Sequence, residues 1–234
     1  MDRLIVALDL PSAEAAMDMA DRLQGTCRWF KVGMELYYAA GNAVVTRLCE
    51  RGYKVFLDLK LHDIPNTVAG AVRSVTGVGA SLLTVHAAGG ERMLRAAVQA
   101  ASAPGSPKLL AITVLTSTDA AELSAVGVGD TPVGQVLRLA QLARAAGVDG
   151  LVCSPEEVGA VRELMGPNAL LVIPGIRPAG AVVGDQSRVA TPADAVARGA
   201  SMLVVGRPIT QAADPAKAAA GILEEIRSAI QQKS

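Results

Sequence analysis

Eight short aliphatic or β-branched runs recur along the chain at nearly even spacing, and this recurrence constrains the fold more than any other feature. The runs are Leu4–Leu8, Trp29–Val32, Lys54–Leu59, Ser81–Val85, Leu109–Leu115, Asp149–Cys153, Ala169–Ile173 and Ser201–Val205. Continuous apolar runs, rather than strict alternation, are the pattern of strands buried on both faces. Between them lie Ala-, Leu-, Arg- and Glu-rich stretches with helical spacing: Ala13–Leu23, Gly41–Arg51, Gly90–Ala101, Val133–Ala146 and Glu156–Leu164. Gly52, Gly147 and Gly199 each stand at the end of a helical stretch, just before the next strand, as C-caps do. Eight runs in 234 residues give about 29 residues per unit, the size of a β-α step. The expected architecture is α/β, a single (β/α)8 barrel of the TIM type over residues 1–234, with its site at the carboxyl ends of the strands. A doubly wound open sheet is the alternative. No G-x-G-x-x-G follows the first strand, which weakens the dinucleotide-binding version of that fold. No linker, low-complexity segment or charge block divides the chain.

Composition then narrows the function classes. Lys and Arg total 22 against 22 Asp and Glu, so no net field attracts a polyanion, and nucleic acid is not an expected partner. Cys27, Cys49 and Cys153 are an odd number without a C-x-x-C pair, which fits free thiols in a reducing compartment. Mean hydropathy is +0.36, yet no apolar run approaches the ~18 residues of a spanning helix. The chain opens Met-Asp-Arg without a signal-peptide pattern. The expectation is a cytoplasmic protein with no membrane partner.

The residues that follow the apolar runs carry the chemistry: Asp9, Lys31, Asp58 with Lys60, His86, Thr116, Ser154, Gly175 with Arg177, and Gly206 with Arg207. The densest cluster is Asp58-Leu59-Lys60-Leu61-His62-Asp63-Ile64-Pro65-Asn66-Thr67. Side chains two apart on a strand share a face, so Asp58 and Lys60 point together while Leu57 and Leu59 pack oppositely. Inside a barrel that arrangement holds a carboxylate and an ammonium in poor solvent, which is a weak device for stability. The plain reading is a surface salt bridge leading into a turn. Lys31 interrupts the apolar strand Trp29-Phe30-Lys31-Val32; its plain reading is a lysine that snorkels to the rim. Asp9 precedes Pro11 and Ser12, and its plain reading is a helix cap. Taken together, these groups form an alternating acid-base array in which each charge keeps its neighbours ionised.

A phosphate signal lies at the other end of the chain. Val204-Val205-Gly206-Arg207-Pro208 reads as strand, glycine turn and helix start. Glycine lets an anion approach the backbone, helix-start N–H groups are unpaired, and Arg207 adds charge. Barrels often bind phosphate after strands seven and eight. The long loop Pro174 to Arg188 has the glycines and donors of a flap that closes over an anion. Arg177 and Gln186 are donors there, and spacing alone does not choose between Arg177 and Arg188. His62 and His86, the only histidines, have no His or Cys at ligand spacing, so no metal site is expected. Tyr37 and Tyr38 are candidates to face a partner subunit.

The string D-L-K-L-H-D-I-P-N-T at 58–67 closely resembles the signature of the orotidine 5′-monophosphate decarboxylase family. The resemblance continues through A-L-D at 7–9, F-K-V-G at 30–33, V-L-T-S at 114–117, P-G-I-R-P at 174–178, G-D-Q at 184–186 and V-V-G-R at 204–207, in the family's order. D-x-K-x-x-D alone is shared with keto-gulonate-phosphate decarboxylases and hexulose-phosphate synthases; the H-D-I-P-N-T continuation and the G-D-Q loop are more specific. The resemblance implies that Lys60 protonates the pyrimidine carbon that loses CO2 and that Asp58 lies against the departing carboxylate. It implies that Asp63 and Thr67 reach the neighbouring site of a homodimer, that Asp9 and Lys31 hold the ribose hydroxyls, and that Thr116 meets the pyrimidine edge. Arg177, Gln186, Gly206 and Arg207 would grip the 5′-phosphate. Neither metal nor cofactor is implied, so fixed charges must stabilise the carbanion. Three other readings stand beside it: a metal-dependent sugar-phosphate synthase or aldolase on the same barrel, a Schiff-base aldolase using Lys60, and a phosphate-ligand binding protein without catalysis.

Overall fold

A computed structural model describes residues 3–178 and 189–232. Eight parallel strands close into a barrel in chain order: β1 Leu4–Ala7, β2 Trp29–Gly33, β3 Lys54–Leu61, β4 Leu82–His86, β5 Lys108–Ile112, β6 Gly150–Val152, β7 Leu170–Ile173 and β8 Met202–Val205. β8 pairs back onto β1 through Leu4 with Leu203 and Val6 with Val205. The open-sheet alternative is thereby excluded. Around the barrel run α1 Ala13–Arg22, α2 Met34–Ala40, α3 Asn42–Glu50, α4 Pro65–Val75, α5 Gly90–Ala100, α6 Ala120–Ala125, α7 Pro132–Ala146, α8 Val158–Met165, α9 Pro192–Ala197, α10 Arg207–Thr210 and α11 Pro215–Gln231.

The strands form where both faces have apolar partners. Ile5, Ala7, Phe56, Leu82, Leu110, Val172, Met202 and Val204 fill the barrel interior. Their alternates, such as Val6, Phe30, Leu57, Leu83 and Leu203, pack outward under the helices. Each fully buried aliphatic or aromatic side chain contributes about 1.5–3 kcal/mol, so the two-sided burial holds short strands of modest intrinsic preference. α4 shows the same logic in a helix. Its segment contains Gly70, and it presents Val68, Val72 and Val75 to the core at helical spacing. Gly147 closes α7 in the left-handed region, with φ 84 and ψ 27, where a side chain would be strained.

Two strands end elsewhere than their apolar runs. β5 stops at Ile112 instead of Leu115, because its partner β6 ends at Val152, whose carbonyl also accepts from the Thr113 hydroxyl at 2.9 Å. β3 runs two residues further, to Leu61, but not as a regular strand. Leu57 aligns with Leu83 and Leu61 with Val85, so β3 takes two more residues than β4 over the same rise. Lys60 sits in this bulge with φ 51, the one non-glycine at positive φ among the described residues. Asp58 and Lys60 still share the cavity face, with Leu57 and Leu59 packed on the other side as their spacing implies, although Lys60 lies in the bulge.

Candidate active site

A cavity of about 460 Å³ opens at the carboxyl end of the barrel. Asp9, Lys31, Asp58, Lys60, Thr116, Arg177, Gly206 and Arg207 all line it, above a floor that includes Phe56, Val152 and Val204. Gln186 and Arg188 lie outside the described residues, as does most of the expected flap. His86 and Ser154, though at strand ends, are not among the lining residues. The His86 ring stacks on His62 at 5.2 Å between centroids, and Ser154 is buried with its hydroxyl donated to the buried Glu157 carboxylate.

The four charges along β1, β2 and β3 form one chain. Lys31 Nζ donates to Asp9 Oδ1 at 2.7 Å and lies 3.8 Å from Asp58 Oδ2. The same Asp58 oxygen accepts from Lys60 Nζ at 2.9 Å. Asp58 and Lys31 are only 11% and 12% exposed as side chains. Alternation of sign sets each of these poorly solvated side chains against an opposite one, which offsets the cost of burying it. Asp9 is not the cap of α1. Ser12 is, accepting from the Ala15 N–H at 3.2 Å, which leaves Asp9 to Lys31.

Gly33 is a part of this array that its sequence did not disclose. It pairs with Asp58 across β2 and β3. A Cβ there would stand 2.7 Å from Lys31 Nζ and 2.9 Å from Asp9 Oδ1. A side chain at that level would push the Lys31 ammonium and the Asp9 carboxylate from the positions they hold, and glycine leaves both in place. F-K-V-G contains the residue, but spacing cannot show what its missing side chain makes room for.

Across the cavity stand two guanidinium groups. The Arg177 guanidinium pKa is pushed down, first by burial and then by the positive charge of Arg207. Two cations brought together at one rim favour an anion between them. Gly206 precedes α10, and the Ile209 and Thr210 N–H groups return to its carbonyl.

Asp63 and Thr67 do not reach this cavity within their own chain. Both are exposed; the Asp63 carboxylate accepts from the adjacent Ile64 N–H at 2.6 Å, and Thr67 lies in the first turn of α4. Exposed apolar side chains occur on the same end of the barrel: Met34, Ile64, Leu115 and Tyr38, the last 78% exposed. Among the described residues, no three His, Cys, Asp or Glu side chains group to hold a metal ion. No helix there is long and apolar enough to cross a membrane.

A barrel with these charges at its mouth matches known proteins along nearly its whole length. The model of the Orotidine 5'-phosphate decarboxylase / HUMPS family matches residues 2–222. The chain belongs to that family. An orotidine 5'-phosphate decarboxylase from Halorhodospira halophila is 56% identical over 228 residues, 97% of each chain. One from Anaeromyxobacter dehalogenans is 57% identical, covering 94% of this chain and 96% of that one. The crystal structure of orotidine 5'-phosphate decarboxylase from Lactobacillus acidophilus superposes with a TM-score of 0.85 at 41% identity, covering 97% of this chain and 99% of that one.

Proposed function

We propose that the chain, acting as one barrel domain, is a carboxy-lyase that converts orotidine 5′-monophosphate to uridine 5′-monophosphate and CO2. This is the last step of de novo pyrimidine nucleotide synthesis, and it proceeds here without metal or cofactor. The observation that carries this reading is the alternating array Asp9, Lys31, Asp58 and Lys60 on the wall of a cavity whose far rim holds Arg177 and Arg207. The names of the relatives support the substrate.

In this reading the 5′-phosphate binds at Arg177, Gln186, Arg207 and the Gly206 backbone. Asp9 and Lys31 take the ribose hydroxyls, and Thr116 meets the pyrimidine edge. The substrate carboxylate then lies against Asp58. The bond from C6 to the carboxyl carbon breaks, CO2 departs, and the electron pair stays on C6. Lys60 Nζ delivers a proton to C6 and is recharged from solvent. The carbanion has no adjacent electron sink, so its stabilisation rests on a preorganised ammonium and a nearby proton. Asp58 disfavours the bound carboxylate more than neutral CO2. Phosphate contacts far from C6 fix the geometry in which this difference acts.

The reading includes a cytoplasmic homodimer, with Asp63 and Thr67 completing the neighbouring site. The exposure of both residues, together with the apolar side chains around the same rim, supports a second copy docking there.

The test is a spectrophotometric assay of orotidine 5′-monophosphate in excess EDTA, with wild type beside Lys60→Ala. Loss of the orotate absorbance in wild type alone is the expected result. Activity that instead requires magnesium and a ketose phosphate would assign the chain to the sugar-phosphate branch of the family. Trapping by borohydride with a ketose phosphate would indicate a Schiff base on Lys60.

A further inference from the structure

We infer that Thr84 is a positioning residue for the decarboxylation, setting the Lys60 backbone and the Asp58 carboxylate through one hydroxyl; this rests on the decarboxylase reading. Thr84 lies on β4 and is 0% exposed. Its Oγ1 accepts from the Lys60 backbone N–H at 2.8 Å and donates to Asp58 Oδ1 at 3.0 Å. The direction of both bonds is dictated by the partners. An amide only donates and an ionised carboxylate only accepts.

The need for such a group comes from the bulge. Regular pairing of β3 with β4 is interrupted between Leu57 and Leu61, so the N–H of Lys60 has no place in a regular ladder. A buried N–H without a partner is costly, and Lys60 also holds the left-handed conformation, φ 51, which costs a non-glycine residue more. The Thr84 hydroxyl takes the place of the absent ladder carbonyl. A carbonyl could not then donate to Asp58. The hydroxyl does, and by occupying Oδ1 it leaves Oδ2 turned toward Lys60 Nζ at 2.9 Å and Lys31 Nζ at 3.8 Å. The same proton therefore sets which carboxylate oxygen the two lysines share. Neither lysine's ammonium needs to touch Thr84 for its position to depend on it.

Thr84→Val removes the hydroxyl at nearly constant volume, and Thr84→Ser keeps it. With orotidine 5′-monophosphate, kcat of Thr84→Val is expected to fall about 10–100-fold, the scale of a small displacement of reacting groups. KM, and the Kd for uridine 5′-monophosphate, should stay within about threefold, because the phosphate contacts and the 2.7 Å Lys31–Asp9 pair do not involve Thr84. Thr84→Ser should recover most of the lost kcat. A Thr84→Val enzyme with wild-type kcat, or a Thr84→Ser enzyme as slow as the valine variant, overturns the inference. If the valine variant does not fold, Thr84→Cys takes its place: its weakly bonding thiol should leave it well below serine, and equality with serine overturns the inference. A crystal structure of the folded variant gives a readout independent of turnover. Asp58 is expected to rotate away from Lys31 and Lys60; an unmoved carboxylate and bulge overturn the inference. Wild-type enzyme inactive on orotidine 5′-monophosphate would instead sink the decarboxylase reading, while that crystal structure still decides the role of Thr84.

Discussion

The two ends of the barrel hold poorly solvated cations in opposite ways. At the amino end Arg162 of α8 gives its guanidinium to backbone: Nε and Nη2 to the Gly199 carbonyl at 3.0 and 2.8 Å, and Nη1 to those of Gly166 and Ala169 at 2.9 and 2.8 Å. Its Nη2 also donates to Ser201 Oγ at 2.9 Å. Every partner belongs to the chain entering β7 and β8, and burial pushes the guanidinium pKa down. At the carboxyl end Lys31 and Lys60 meet carboxylates on the wall of an open cavity. A cation whose partners are carbonyls within the fold ties strands together. A cation in an alternating array facing a cavity remains available to a ligand.

The sharpest test of this contrast is the pair Lys60→Ala and Arg162→Ala. Lys60→Ala should lower kcat by about 10⁴-fold or more, given the combined scale of proton transfer and charge stabilisation. Its thermal midpoint should hardly move; a large fall would make Lys60 a structural cation like Arg162. Arg162→Ala should do the reverse and cost about 2 kcal/mol, since it leaves several carbonyls short of a donor. In a chain of this size that is about 4–8 °C in midpoint, with kcat near wild type. A loss of kcat without loss of stability would erase the distinction between the two ends.

Gly33→Ala should be milder than Lys60→Ala. The added methyl displaces Lys31 from Asp9 without removing any charge, and a loss of about tenfold in kcat/KM is expected. Undiminished activity would show that Lys31 does not need the rim position it holds.

The smallest expected effect concerns His86. Its pKa is pushed down by burial first, then by the charges of His62 and Lys60, and its Nδ1 accepts from the Ala88 N–H at 3.2 Å. Above the unfolded value of about 6.5 the ring is neutral in both states, and its contribution is fully present. As pH falls from there through the lower folded value, the unfolded chain takes up the proton first and stability is lost. Asp130 does not confuse this window. Its carboxyl is held below the usual range chiefly by the Arg138 hydrogen bond, so its own loss lies in more acid solution. Urea unfolding at pH 7.5 and 5.5 should show a smaller acid loss for His86→Asn than for wild type. Equal losses would mean that the ring is not held neutral by its site.

The strands were legible because two-sided burial writes itself as apolar runs. The runs at Lys54, Ala169 and Ser201 start within a residue of β3, β7 and β8. Helices such as α2 and α6 leave no such signature, since they are short and take their stability from packing rather than from a long amphipathic repeat. Asp9, Lys31, Asp58 and Lys60 are legible as charges that break into or directly follow apolar runs. Thr84 and Gly33 are not. A threonine in an apolar strand and a glycine at its end are ordinary residues until the neighbouring strand is in register.

By itself, the sequence determined the eightfold alternation, the end of the barrel that carries charge, and the residue types of the array. Those depend on which side chains tolerate burial, a property local to each segment. Tertiary structure alone decided the bulge at Lys60, the hydroxyl of Thr84 that spans it, the space above Gly33 and the carbonyl cage of Arg162. Each is a relation between strands or helices far apart in the chain. Its energy comes from hydrogen bonds and excluded volume that exist only once the barrel has closed.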